Sequence, residues 1–507
     1  MTKTDRLEDR LEAALAALDP RGITFRVMAR GYRWEPLQAL RPTSPPLKPS
    51  DFEVTAIHDL SGGRMNISWR RNFIEPLTDT VVYAEIIVGD AGYITGADVA
   101  LHPSPARAMT SDRVAAVRRQ QWMLHPQLMI GDALARRAAG EANALRQSPD
   151  EAIDGVAHAV LEISAFPRPI RLFFDRETWR PIRATTQEHD HPRGDVEVAV
   201  RYAIWRDHGG LPVAADVELS LDGTAIHAEV RSLAEATSVI AEDFFALADS
   251  KPHDPTLARR GLVNCQWMHR ALGLGAGISL DAGEVVIEPI TPEVITLGGG
   301  IHHSMAIRTA GSIVVLDPPQ HEARSRAVIE AVTGHWPGTP ITHLVLTHHH
   351  HDHSGGIRAY AAIGAELVIA EGDRRFVERV LSSPHTIQPD SLSAADVVPR
   401  ITTVGDGGLA IGGGAVTVHR ITSPHCAEDL IVYIAGPKLL FNADLFNPGL
   451  VPDEAAAPPY WLIYTKDLRR QIEGLDLDIE WLVGGHGALE GRPYQSMIDF
   501  TERHGGI

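Results

Sequence analysis

The sequence predicts an α/β protein in two parts: an α/β C-terminal half preceded by an N-terminal α+β domain built on a curved antiparallel sheet. Three observations carry this reading. The chain has 507 residues, too many for one ordinary core. From about residue 282 onward, short apolar runs alternate with helical patterns, as layered α/β folds require. Before about residue 250, longer runs alternate apolar and polar residues and are joined by Asp-Gly and Gly-Gly pairs, which are hairpin signals.

Taken in order, the opening MTKTDRLEDRLEAALAALD is a charged amphipathic helix that lacks the apolar core of a signal peptide. A Pro-rich connector, LRPTSPPLKPSD, comes next. The β-like runs then include FEVTAIHDL, MNISWRRNF and TVVYAEIIVGD, and later DVEVAVRYAIWRDH with its hairpin partners. Turns are expected at Gly209-Gly210 and Asp222-Gly223. Between the runs lies one helical stretch, SDRVAAVRRQQWMLHPQLMIGDALARRAAGEANAL. His189 and His191 stand at i, i+2 in EHDHPRGD, but a Pro-Arg-Gly turn follows and no third ligand is evident, so a solvated hairpin tip is expected. The resulting division is 1–250 for the N-terminal domain, 251–281 for a linker that is helical in its middle, and 282–507 for the C-terminal domain. The sheet's apolar face needs cover from its own helices, the C-terminal domain or a second copy of the chain, which makes a homo-oligomer through this domain one option.

Composition excludes several partners. The net charge is −18, with no basic cluster to grip a phosphate backbone or an anionic membrane. A small-molecule substrate is therefore expected. Hydrophobic residues make up 44% and charged residues 22%, which is globular composition. The two cysteines, Cys265 and Cys426, are too few for a disulfide framework, and no run is apolar enough to span a membrane. A cytoplasmic enzyme is the expectation.

The most informative stretch is LVLTHHHHDHSGG, residues 344–356. An apolar run leads in, two glycines lead out, and a helical pattern follows. In an extended backbone, side chains at i and i+2 point the same way, so His348 and His350 converge while His349 points away. Asp352 and His353 are consecutive and break that alternation, so a turn there faces them to a second centre. The glycines let the chain turn without a Cβ clash. Three further polar residues each follow or flank an apolar run: His425 in RITSPHCAEDLIVYI, Asp444 in KLLFNADLF and His486 in IEWLVGGHGALEG. Cys426 adjoins one of these but reads as a small buried residue.

This set resembles the metallo-β-lactamase-fold hydrolase superfamily, whose signature is His-x-His-x-Asp-His followed by a separate His, an Asp and a final His. The resemblance covers roughly residues 285 to 507. It implies an αβ/βα sandwich with metals at one edge of two sheets. It further implies that His348, His350 and His425 hold a first zinc ion, that Asp352, His353 and His486 hold a second, and that Asp444 bridges them.

Two metals sharing a hydroxide would hydrolyse an electrophilic centre, with Asp352 as both ligand and proton shuttle. The expected function is a dinuclear zinc hydrolase of an ester, lactone or similar acyl bond. A one-metal, iron-dependent sulfur dioxygenase of the same fold is the alternative, as is a metallo-hydrolase of the β-lactamase or phosphodiesterase type. His302 and His303, in LGGGIHHSMAIRTAG, and Tyr460 and Trp461, in PPYWLIYTKD, are the expected substrate contacts.

Overall fold

The computed structural model describes residues 3–19, 24–45, 47–59, 63–73, 80–96, 107–109, 111–164, 168–208, 211–237, 242–245, 282–300, 302–449 and 459–507. The expected linker and the Gly209-Gly210 turn lie outside them. The chain forms two compact units. The first gathers 1–35, 48–190 and 195–279; the second gathers 36–47, 191–194 and 280–507. Two short segments of the N-terminal half thus belong to the second unit.

In the first unit the described strands form one sheet of thirteen. Two meanders, one before and one after the helices, meet where strand Thr24–Glu35 pairs antiparallel with Thr224–Thr237. The hairpin from Leu211–Leu221 to Thr224–Thr237 turns at Asp222 and Gly223, both at positive φ (45° and 75°), as the Asp-Gly signal predicts. The expected single helical stretch is instead two helices, Ser111–Leu124 and Pro126–Ala138. Pro126 has no N–H to continue the first helix, and it pushes His125 out of the helical region (φ −125°, ψ 87°). Leu11, Leu15 and Leu18 of the opening helix pack with Met129 and Ile130 against sheet residues such as Leu172, Phe174 and Val217.

The second unit is an αβ/βα sandwich. A seven-stranded sheet begins antiparallel and becomes parallel from Ser312–Leu316 through Ile341–Val345, Glu366–Ala370 and Arg400–Val404. A six-stranded sheet faces it. Met305, Val314, Val345 and Val368 of the first sheet interdigitate with Val418, Leu430, Val432 and Phe441 of the second. Helix Glu322–His335 covers the outer face of one sheet, and Pro459–Glu473 and Tyr494–Arg503 cover the outer face of the other. Strands in this buried position read as continuous apolar runs, because both of their faces are covered.

The segment expected to be a solvated tip is packed. His191–Gly194 sits in the second unit, where the His191 ring lies 6.0 Å from that of His321. A Cβ on Gly194 would stand 2.2 Å from the Pro384 carbonyl oxygen. Polarity suggested exposure, but tertiary packing decided otherwise.

Gly355 and Gly356, at φ −60° and −107°, are not needed for an unusual backbone. They are needed for space: a Cβ on Gly355 would fall 2.0 Å from the Gln320 carbonyl oxygen, and one on Gly356 1.9 Å from Ser325 Oγ. Overpacking against backbone costs about 1–3 kcal/mol. Gly355→Ala should therefore lower the thermal midpoint by several degrees, at roughly 2–4 °C per kcal/mol for a unit of this size. Gly334→Ala is the control, because nothing lies within 4 Å of its Cβ. An unchanged midpoint in Gly355→Ala would refute the close-approach role.

Candidate metal centre

The seven residues expected to hold metal stand at or just beyond strand ends. Strand Ile341–Val345 delivers the 347–354 loop and the short helix His351–Ser354. His425 lies between strands Val416–Ile421 and Asp429–Ile434, Asp444 follows Leu439–Phe441, and His486 follows Trp481–Val483.

The structure brings these side chains into two groups. In the first, His348, His350, His425 and Asp444 offer atoms that all lie within 4.8 Å of one another. In the second, His302, Asp352, His353 and His486 do the same. Asp444 joins the two. Its Oδ2 is 3.0 Å from His425 Nε2, and its Oδ1 is 2.9 Å from His353 Nε2 and 3.0 Å from His486 Nε2.

The hydrogen bonds on the far sides of the rings fix the tautomers. Asp317 is the main anchor. Its Oδ1 accepts the Thr347 N–H at 2.8 Å, and its Oδ2 accepts the Thr347 hydroxyl at 2.9 Å and faces His353 Nδ1 at 2.9 Å. Because Thr347 gives its hydroxyl proton to Asp317, it can only accept from His348 Nδ1, 3.1 Å away. His350 Nε2 donates to the Ala39 carbonyl oxygen at 3.1 Å. The lone pairs of His348 Nε2, His350 Nδ1 and His353 Nε2 are thus left facing the centre. Among the described residues His350 Nδ1 is buried without a hydrogen-bond partner, while His353 Nε2 and Asp444 Oδ1 face each other at 2.9 Å across the gap between the two groups. Imidazoles tied down at one nitrogen and open at the other, around a shared carboxylate, are the donor set a divalent cation takes.

The charge balance agrees. Burial opposes a charge on His353, yet Asp444, Asp317 and Asp352 together raise its pKa well above the ordinary histidine value. Burial likewise opposes the Asp444 carboxylate, but His353 and His486 hold its pKa well below the usual range. The carboxylates therefore demand positive charge in this space. A cation supplies it and displaces the proton. Burial keeps His348 and His350 neutral, with pKa values far below the ordinary one, as ligands must be.

Not every histidine of the run points inward. His349 faces Cys426, with Nδ1 3.4 Å from its Sγ, on the side of Asp373. His351 Nδ1 meets Gln38 Nε2 at 3.1 Å. His302 and His303 are both buried: His302 Nε2 is 2.7 Å from Asp352 Oδ2 while Gln320 approaches its Nδ1 at 2.9 Å. Trp461 is buried, and the Tyr464 ring lies 5.1 Å from that of His425. Tyr460 lies in helix Pro459–Glu473, but its side chain is outside the described residues.

The sequence reading missed Asp317, Gln320 and the segment 36–47. Gln38 donates to Asp352 Oδ1 at 2.6 Å, and Arg41 pairs with Glu428 at 3.2 Å. Asp317 carried a readable signal, since it ends the apolar run SIVVL just as Asp444 ends KLLFNA.

Residues 297–486 match the family model described as the metallo-beta-lactamase superfamily. Among solved structures, the chain is similar to a metallo-beta-lactamase from Pontibacter korlensis at 21% identity, over 43% of this chain and 97% of that one, with a TM-score of 0.32. It is also similar to a metallo beta lactamase from Hirschia baltica at 17% identity, with the same coverages and a TM-score of 0.33. None of the curated proteins compared matches the chain. Among the described residues, no helix is long and apolar enough to cross a membrane.

Two outcomes follow. Asp317→Asn should weaken metal binding roughly 10- to 100-fold, the usual effect of losing a partner behind a ligating histidine; titration against a chelator measures this. His348→Ala should lose bound metal, whereas His349→Ala should keep it. Equal losses by elemental analysis would contradict the division of the run into inward and outward histidines.

Proposed function

We propose that the protein is a dinuclear zinc hydrolase of an ester, lactone or similar acyl bond in a small molecule, a reading supported by the match of residues 297–486 to the metallo-beta-lactamase superfamily model. His348, His350 and His425 would hold one ion, Asp352, His353 and His486 the other, and Asp444 would lie between them. The observation that carries this reading is the arrangement around Asp444, whose two oxygens serve the two groups separately. The second group is as compact as the first, which favours two ions over the one-metal dioxygenase reading. Bound there, two divalent ions would share a water and lower its pKa toward neutrality.

The chain's own contribution centres on Asp352. Burial opposes its charge, but His302 and His353 hold its pKa well below the usual carboxylate range, so it is ionised. His302 on Oδ2 and Gln38 on Oδ1 fix the plane of the carboxylate. A base held in one orientation wastes no rotational freedom when the proton moves. Tyr464, whose ring lies beside that of His425, would supply apolar surface for an acyl body. The net charge of −18 disfavours polyanionic substrates and so weighs against phosphodiesters.

Asp352→Asn should retain part of the metal yet lower turnover by about two or more orders of magnitude, since the amide cannot take the proton. The assay is a panel of chromogenic esters, lactones, thioesters, β-lactams and phosphodiesters. Turnover within a few-fold of wild type would remove Asp352 from this role, and activity confined to phosphodiesters would overturn the acyl assignment.

A further inference from the structure

The inner face of the first unit's sheet holds a buried cation with no carboxylate paired directly to it among the described residues. Along strand Thr24–Glu35 the buried positions are Phe25, Val27, Ala29, Gly31 and then Arg33. The neighbouring strands put Phe52, Trp69, Arg71, Tyr83 and Glu85 at buried positions of the same alternation. Arg33 is 1% exposed, and none of its three guanidinium nitrogens has a hydrogen-bond partner. The guanidinium stands over the Trp69 ring, 5.7 Å from its centroid, which satisfies its face and leaves its N–H edge unmet. The Tyr83 hydroxyl is also buried without a partner.

The nearby carboxylates are already taken. Arg113 binds Glu85 Oε1 through two nitrogens, at 2.7 and 3.2 Å. Arg231 binds Glu229 Oε1 through two nitrogens, at 2.8 and 2.9 Å, and His227 faces the other Glu229 oxygen at 3.1 Å. A second guanidinium, Arg71, lies close enough to repel Arg33. Burial first and Arg71 second lower the pKa of Arg33 to about 9, so it still carries its charge at neutral pH.

Buried charges in folded proteins are paired or hydrogen-bonded, and the five donors of this guanidinium are unmet among the described residues, so a ligand is the partner they fit. We propose that the Arg33 guanidinium, with Arg71 and the Tyr83 hydroxyl, is a binding site for an oxyanion of a small molecule. The planar fork of Arg33 matches two oxygens of a carboxylate or phosphoryl group, and a hydroxyl adds a third donor. The Trp69 ring under Arg33, with Phe52 edge-on against it at 5.4 Å, gives the site an apolar wall that suits an anion carried on an apolar body. The site is built within the first unit and owes nothing to the metal centre.

Calorimetric titration of the full-length protein with acetate, hexanoate and inorganic phosphate at matched ionic strength tests this, with Trp fluorescence as a second readout. Saturable binding is expected, tighter for hexanoate than for acetate if the oxyanion is a carboxylate on an apolar body, and tightest for phosphate if it is phosphoryl. Arg33→Met should weaken binding roughly 10- to 100-fold. It should also leave the ligand-free thermal midpoint equal or higher, because it removes an unneutralised buried charge. Tyr83→Phe should weaken binding several-fold and provides the test should Arg33→Met not fold. No saturable binding of any of the three anions would overturn the site, as would binding unchanged in the folded variants. Binding lost in His348→Ala but kept in Arg33→Met belongs to the metal centre and would overturn it equally.

Discussion

One buried carboxylate, Asp317, anchors both ends of the loop that carries His348, His350, Asp352 and His353, and the rest of the centre depends on that hold. Asp317 accepts from the backbone and hydroxyl of Thr347 and faces the ring of His353, so one side chain positions both ends of the loop. It sits at the end of strand Ser312–Leu316, with φ at 56°, a conformation that Asp tolerates better than most residues. Through Thr347 it sets the tautomer of His348, and directly it sets that of His353. Removing this carboxylate would leave two imidazoles free to rotate toward each other rather than toward an ion.

The same edge of the sandwich concentrates charge that has no other outlet. Asp352 and Asp444 stand among His302, His353, His425 and His486 with little exposure, where each unpaired charge is costly. Hydrogen bonding from outside the cluster offsets part of that cost. Gln38 on Asp352 and the Ala39 carbonyl on His350 come from residues 36–47, which fold with the second unit although they lie far away in sequence. An isolated C-terminal fragment would lack both.

Residues whose chemistry is local were legible in the sequence. The i, i+2 spacing of His348 and His350, and the placement of His425, Asp444 and His486 beside apolar runs, could be read without a structure because strand geometry alone implies them. The outer partners could not be read in the same way. Gln38 and Ala39 act across 314 and 311 residues, and a backbone carbonyl leaves no mark in the sequence. The strand Thr24–Glu35 was missed for a different reason. Its apolar alternation ends at Gly31 and Arg33, and an arginine at an inward position reads as a solvated one. The helix break at Pro126 was open to inspection, since the residue before a proline resists the helical region. The packing of His191–Gly194 was not, because a polar turn carries no sign of what it will touch.

The role proposed for these buried histidines and carboxylates is to hold two divalent ions. Elemental analysis of the purified, full-length protein tests it most directly. About two zinc ions per chain are expected, with both lost together or in sequence on chelation. A single iron per chain, or no bound metal in a folded protein after reconstitution, would contradict it.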